Sequence, residues 1–176
     1  MSSDHFDRLG LPRRFALDPA AVERAYLARS RAVHPDYHLS GSSADLSASL
    51  ELSAALNEAY TTLRDPFERA DYLLRLEGGP SAAEQKQMPQ AFLAEMLEAR
   101  ERVEEARAGC PDDAAVLADD FGKRYDNLLA DVAALFDCLE ALPAGDPGRP
   151  GLLAQIRQVL NAAKYVRGLI RDLNAE

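Results

Sequence analysis

Cysteine is scarce in this chain. Its two cysteines, Cys110 and Cys138, stand 28 positions apart and form no Cys-x-x-Cys pair, and the three histidines (His5, His34, His38) are far from both. A zinc or iron–sulfur site needs three or four ligands at close spacing, so no resident metal and no cofactor is expected. Cys138 falls in the helical run Ala133–Leu142 and reads as a small packed hydrophobe. Long apolar runs are also missing: none approaches the 18 residues that cross a bilayer, so no membrane span is expected. An excess of positive charge is missing too. The formal net charge is −9 and the pI is about 4.9, which argues against a nucleic-acid partner. The opening Met1-Ser2-Ser3-Asp4-His5 has no basic region followed by an apolar stretch, so no secretory signal is expected and the chain is expected to be cytoplasmic. Clean alternation of apolar and polar residues is absent, and Val and Ile are few, so strands are not expected.

What remains is helical. Hydrophobic residues make up 47% and charged residues 28%, a composition that folds rather than staying disordered. The strongest break is Glu77-Gly78-Gly79-Pro80-Ser81, where two glycines and a proline stop any helix. The expected organisation is therefore all-α in two parts, residues 1–77 and 89–176, with residues 78–88 as a linker. In the first part Asp18-Pro19 marks a helix start, and that helix must end before Pro35. A second long helix is expected over Ala44–Leu63, with Leu52, Leu56, Ala59 and Leu63 on its apolar face. Asp65-Pro66-Phe67-Glu68 then opens a short helix to Leu76. In the second part helices are expected over Gln90–Arg107, Asp113–Leu142 and Pro150–Leu173. The last carries a heptad stripe of Leu152, Ile156, Val159, Ala163, Val166, Ile170 and Leu173. The middle one carries two apolar stripes, Leu117/Phe121/Leu128/Leu135 and Tyr125/Leu129/Val132/Phe136. Two apolar faces on one helix call for two neighbours, hence an antiparallel three-helix bundle.

Charge is uneven along the chain. Residues 1–76 carry nine Arg against eleven Asp and Glu, a net of −2, and residues 77–176 carry a net of −7. Within the first part, residues 8–31 hold six Arg against Asp18 and Glu23, a local +4. The loop after this basic helix reads His34-Pro35-Asp36. Taken alone the tripeptide serves as a helix terminator, with His favoured by the dipole and Pro and Asp forming a turn. That reading leaves the arginines unexplained: Arg24 and Arg31, seven apart, share one helix face, with Arg29 on the same helix. An enzyme using His34 and Asp36 as base and acid is disfavoured, because residues two apart across a proline do not converge on a substrate. No nucleophile with a base partner, Gly-rich phosphate loop or carboxylate pair accompanies them. In the second part, Phe92, Met96, Ala99 and Val103 make a core stripe. Leu93 and Leu97 are turned about 100° from it and form a second apolar strip flanked by Glu98, Arg100, Glu101 and Glu104. Tyr165 likewise lies off the last helix's stripe, next to Lys164. These side chains either widen the core face or form a docking patch.

The unit of helix, His34-Pro35-Asp36 and second helix resembles a J domain. The run Ala54-Ala55-Leu56-Asn57-Glu58-Ala59-Tyr60-Thr61-Thr62-Leu63-Arg64-Asp65-Pro66, and Arg69-Ala70-Asp71-Tyr72-Leu73-Leu74 after it, is similar to the third-helix signature of HscB proteins. The opening, from Phe6 through Leu9-Gly10-Leu11-Pro12 with Phe15 and Leu17-Asp18, also resembles that family. Ala91-Phe92-Leu93 with Glu98 and Arg100-Glu101 resembles the same family in the second part. The resemblance covers nearly the whole chain and is strongest over residues 4–77. It implies a J domain over residues 1–77 and, over residues 89–176, a three-helix bundle that binds the iron–sulfur scaffold protein. The implied protein is a co-chaperone rather than an enzyme, stimulating a DnaK/HscA-class ATPase chaperone and delivering an IscU-like scaffold to it. Carried over by the resemblance, His34, Pro35 and Asp36 form the trigger, with Arg24, Arg29 and Arg31 docking on the chaperone by charge. Leu93, Leu97 and Tyr165, with Glu98, Arg100, Glu101 and Lys164 around them, meet the scaffold. Where the family usually has Lys or Arg after the tripeptide, this chain has Tyr37-His38. The alternative is a general J-domain co-chaperone with a different client. Neither reading calls for nucleic acid, membrane or metal.

Overall fold

Carboxylates set helix starts in the amino-terminal half. Asp18 Oδ1 accepts the N–H of Ala20 at 3.0 Å and opens α2 (Pro19–Val33). Asp65 Oδ1 accepts the N–H groups of Phe67 and Glu68 at 2.8 and 3.1 Å and opens α4 (Pro66–Leu76), directly after α3 (Ser43–Arg64). Each satisfies donors that the first helical turn leaves without partners. The short α1 (His5–Leu9) is opened by a reciprocal cap between Asp4 and Asp7 and ends at Gly10, whose φ of 65° lies in the left-handed region open to glycine. The chain is seen in a computed structural model that describes residues 3–33, 43–109 and 111–175; among these there is no strand. His34, Pro35, Asp36, Tyr37, His38 and Cys110 lie outside the described residues.

The chain divides into two compact units, at Leu73/Leu74. In the first, Phe6 and Leu9 of α1, Val22 of α2, Leu56, Ala59 and Leu63 of α3, and Phe67 and Ala70 of α4 are buried, with Phe15 among them. The buried row of α3 runs through Ser49 rather than Leu52, which is 55% exposed. Ser49 and Leu56 are seven apart, so they share a face that Leu52 leaves by tens of degrees. Arg69 is buried as well. It donates to the Leu63 carbonyl at 2.6 Å and covers the Phe15 ring at 5.2 Å. It thereby satisfies one of the carbonyls left open at the end of α3. Burial pulls the pKa of its guanidinium below the usual arginine value, and Asp65 offsets part of that. The rings of Tyr26 and Tyr60 stack at 4.3 Å, and the Tyr26 hydroxyl donates to Asn57 at 2.7 Å, pinning α2 against α3.

In the second unit α5 (Gln90–Ala108), α6 (Pro111–Ala141) and α7 (Arg149–Leu173) form the expected three-helix bundle. Met96, Ala99 and Val103 of α5, Leu117 and Phe121 of α6, and Val166 and Leu169 of α7 share one core, with Phe92, Tyr125 and Leu128 packed on it. The buried face of α7 is wider than one heptad stripe: Leu153, Leu160, Asn161 and Ala162 are buried beside Ile156, Ala163 and Val166, whereas Leu152 and Val159 are only part-buried. Residues 77–85 are tied to α7, where Arg157 donates to the Pro80 carbonyl at 2.8 Å, Asn161 to the Gln85 carbonyl at 2.7 Å, and Gln85 to the Ala154 carbonyl at 3.0 Å. Arg149 meets Glu77 at 2.6 Å while also donating to the carbonyls of Leu139 and Leu142 at the end of α6. Cys138, expected to be packed, is exposed; the α6 core row passes instead through Val132, Phe136 and Leu139.

Candidate functional site

Along α5 the residues Leu93, Leu97 and Arg100 follow at spacings of four and three, which places them on one face. That face borders Lys164 and Tyr165 of α7. Between the two helices lies an open groove of about 600 Å³, walled by these five residues and floored by Met96 and Leu169. Its apolar rim is exposed: Leu93 is 42%, Tyr165 48% and Leu97 62% accessible. Lys86 and Asp172 also border the groove, so its charged side chains are three cations against one carboxylate on a chain whose net charge is −9. Arg100 leans toward Glu104 at 3.7 Å in an exposed pair, which holds it only weakly. Of the seven residues assigned to scaffold binding, five line this groove. Glu98 and Glu101 are exposed on α5 but outside its lining.

The groove has members that the apolar pattern did not single out. Gly168 lies three residues beyond Tyr165 and contributes wall without a side chain. A β-carbon there would meet nothing within 4 Å. Its effect is thus to leave space beside the tyrosine ring rather than to relieve a clash. A glycine in the middle of a long helix costs about 1 kcal/mol relative to alanine, and that cost was the available signal. Behind the groove, Phe92 meets Tyr165 edge-on, with ring centroids 5.8 Å apart and planes at 74°. Arg124 of α6 lies over Phe92 at 5.9 Å and grips the Glu95 carboxylate with both ends of its fork, at 2.6 and 2.8 Å. The hydrogen bonds from Arg124 hold the Glu95 carboxyl below its usual 4.5.

On the first unit, the structure brings two of the three assigned arginines of α2 to one face. Arg24 and Arg31 are both exposed. Arg24 reaches Asp18 at 3.3 Å, with both side chains more than half accessible. Arg29 is five positions from Arg24, so it points about 140° away. Its guanidinium lies against Gly10, where an added β-carbon would collide with it, so it packs against the end of α1. The trigger tripeptide His34, Pro35 and Asp36 lies outside the described residues. Among the described residues no group of His, Cys, Asp and Glu is arranged to hold a metal ion, and no helix is long and apolar enough to cross a membrane.

A family model described as the HSCB C-terminal oligomerisation domain matches residues 88–173. A co-chaperone protein HscB homolog of Burkholderia mallei is 41% identical over 140 residues, 78% of this chain and 79% of that protein. The homolog of Chromobacterium violaceum is 43% identical over 108 residues, 61% of this chain and 62% of that protein, so this match spans less than two thirds of the relative's length. Among solved structures, the chaperone HscB from Vibrio cholerae superimposes with a TM-score of 0.80 over 97% of this chain and 95% of that one, at 24% identity. That likeness speaks to the fold: a J domain followed by a helical bundle.

Proposed function

The chain belongs to the HscB co-chaperone family, and from that footing we propose that it stimulates the ATPase of a DnaK/HscA-class chaperone and delivers an IscU-like iron–sulfur scaffold protein to it. The observation that carries this reading is the α5–α7 groove. Three large apolar side chains from two helices stand half-exposed around one cleft. A helix face that leaves Leu and Tyr accessible beside a groove is a docking surface rather than a stabilising one. The basic face of Arg24 and Arg31 supports the second contact. Two exposed cations on the helix that precedes His34, Pro35 and Asp36 in sequence suit an acidic surface on the chaperone, steering the encounter by charge. In this role the protein is an adaptor: binding the chaperone's ATP-bound state biases that partner toward hydrolysis, and no bond is made or broken on the co-chaperone.

The test is a single-turnover ATPase assay of an HscA-type chaperone with and without an IscU-type scaffold protein. Wild-type chain is expected to accelerate hydrolysis, and more so with the scaffold present. His34→Gln is expected to abolish acceleration while leaving the helical circular dichroism and the melting temperature unchanged. Full stimulation by His34→Gln would refute the trigger. Stimulation that ignores the scaffold would favour a general J-domain co-chaperone with another client.

A further inference from the structure

We propose that Arg124, which lies outside the groove, is a positioning residue for scaffold docking and acts by fixing the ring of Tyr165 through Phe92. The inference rests on the reading of the α5–α7 groove as the docking site. Tyr165 is 48% accessible, so nearly half of its surface has no packing to choose an orientation. Its ring meets that of Phe92 edge to face at 5.8 Å. Phe92 in turn stands in the first turn of α5, which starts at Gln90 after Pro89 and has no side-chain cap hydrogen bond. An uncapped first turn frays unless something outside the helix holds it. Arg124 supplies that hold. Its fork is fixed by two hydrogen bonds to Glu95, one turn beyond Phe92, and its flat cation lies over the Phe92 ring at 5.9 Å. Cation, ring and second ring thus form a line from α6 through α5 to α7, ending on the groove wall.

A simpler role for Arg124 is as a cross-link between α5 and α6. The geometry argues against that as its main effect. The Glu95 side chain is 53% accessible, and ion pairs that exposed add little stability. The fork's two bonds are worth more as aim than as energy: they hold a planar group in one place over an aromatic face. A docking surface whose aromatic ring is already oriented loses less freedom when the partner arrives.

The experiment is a double-mutant cycle read by isothermal titration with a purified IscU-type scaffold protein, using the full chain. Arg124→Ala is expected to weaken binding roughly three- to tenfold, the range that a cation–aromatic and an aromatic pair convey. In a Tyr165→Ala background the same substitution should change affinity less than twofold. The Tyr165 ring resonances should shift in Arg124→Ala, which a mere α5–α6 cross-link would not cause. An equal loss in both backgrounds would overturn the proposal, because Arg124 would then act directly or through the bundle as a whole. Unchanged Tyr165 resonances would overturn it too. Should Arg124→Ala melt early, Arg124→Lys, which keeps the charge and loses the fork, carries the same cycle. Leu97→Ala separates the layers of the argument. If Leu97→Ala weakens binding and Arg124→Ala does not, only the positioning role falls. If neither does, the groove is not the docking site and both fall.

Discussion

Truncating Leu97 to alanine should separate folding from docking. The side chain is 62% accessible. Fully burying a leucine contributes about 1.5–3 kcal/mol. The buried remainder is then worth about 0.6–1.1 kcal/mol, which for a chain of this size lowers the melting temperature by under about 5 °C. Docking would cover the exposed majority, worth about 0.9–1.9 kcal/mol, or roughly a 5- to 25-fold loss of affinity at 1.4 kcal/mol per tenfold. Leu169 is the internal contrast. It lies on the floor of the same groove at 8% accessibility and belongs to the bundle core, so Leu169→Ala should cost about 2–5 kcal/mol of stability. Calorimetric melting and titration against an IscU-type scaffold protein read both quantities. Leu97→Ala with scaffold affinity within twofold of wild type would place the docking surface elsewhere. A melting point lowered by more than 10 °C would mean that Leu97 is a core residue, and the reasoning from its exposure would be wrong.

Chaperone association should slow as NaCl rises, because the screening length falls from about 10 Å at 0.1 M to about 3 Å at 1 M; Arg24→Glu with Arg31→Glu should flatten that dependence, and a wild-type association rate constant that ignores salt would remove the basic face from the mechanism. Arg157→Met should destabilise the second unit by about 1–3 kcal/mol, since it leaves the Pro80 carbonyl without its side-chain donor. Amide exchange at Glu84 and Gln85, both bonded to the Ser81 carbonyl, should accelerate with it, and unchanged exchange there would show that residues 77–85 do not depend on α7.

Features set by neighbouring residues were legible in the sequence. Asp18, Asp65 and the Gly78-Gly79-Pro80 break act within a few positions of themselves, and the helices begin and end where they direct. Leu93 and Leu97 were legible for a related reason: on a helix, a second apolar strip turned away from a complete core stripe is visible from spacing alone, and both side chains are exposed. Features set by distant residues were not. Leu52 looked like core because leucine outranks serine in hydrophobicity, yet Ser49 occupies the buried row. The face of α7 is wider than its heptad, and a segment some seventy residues earlier hydrogen-bonds to Ala154, Arg157 and Asn161 along it. Arg29 shared a helix with Arg24 and Arg31 but is turned toward Gly10, a contact no local pattern reveals. The groove shows the same boundary within one site. Its rim is written as a periodicity on α5, whereas the order of its tyrosine depends on Arg124, 29 positions from Glu95. The positioning role proposed for Arg124 makes affinity depend partly on a residue that no apolar pattern would select, and variation among relatives at positions 95 and 124 should be read as a pair.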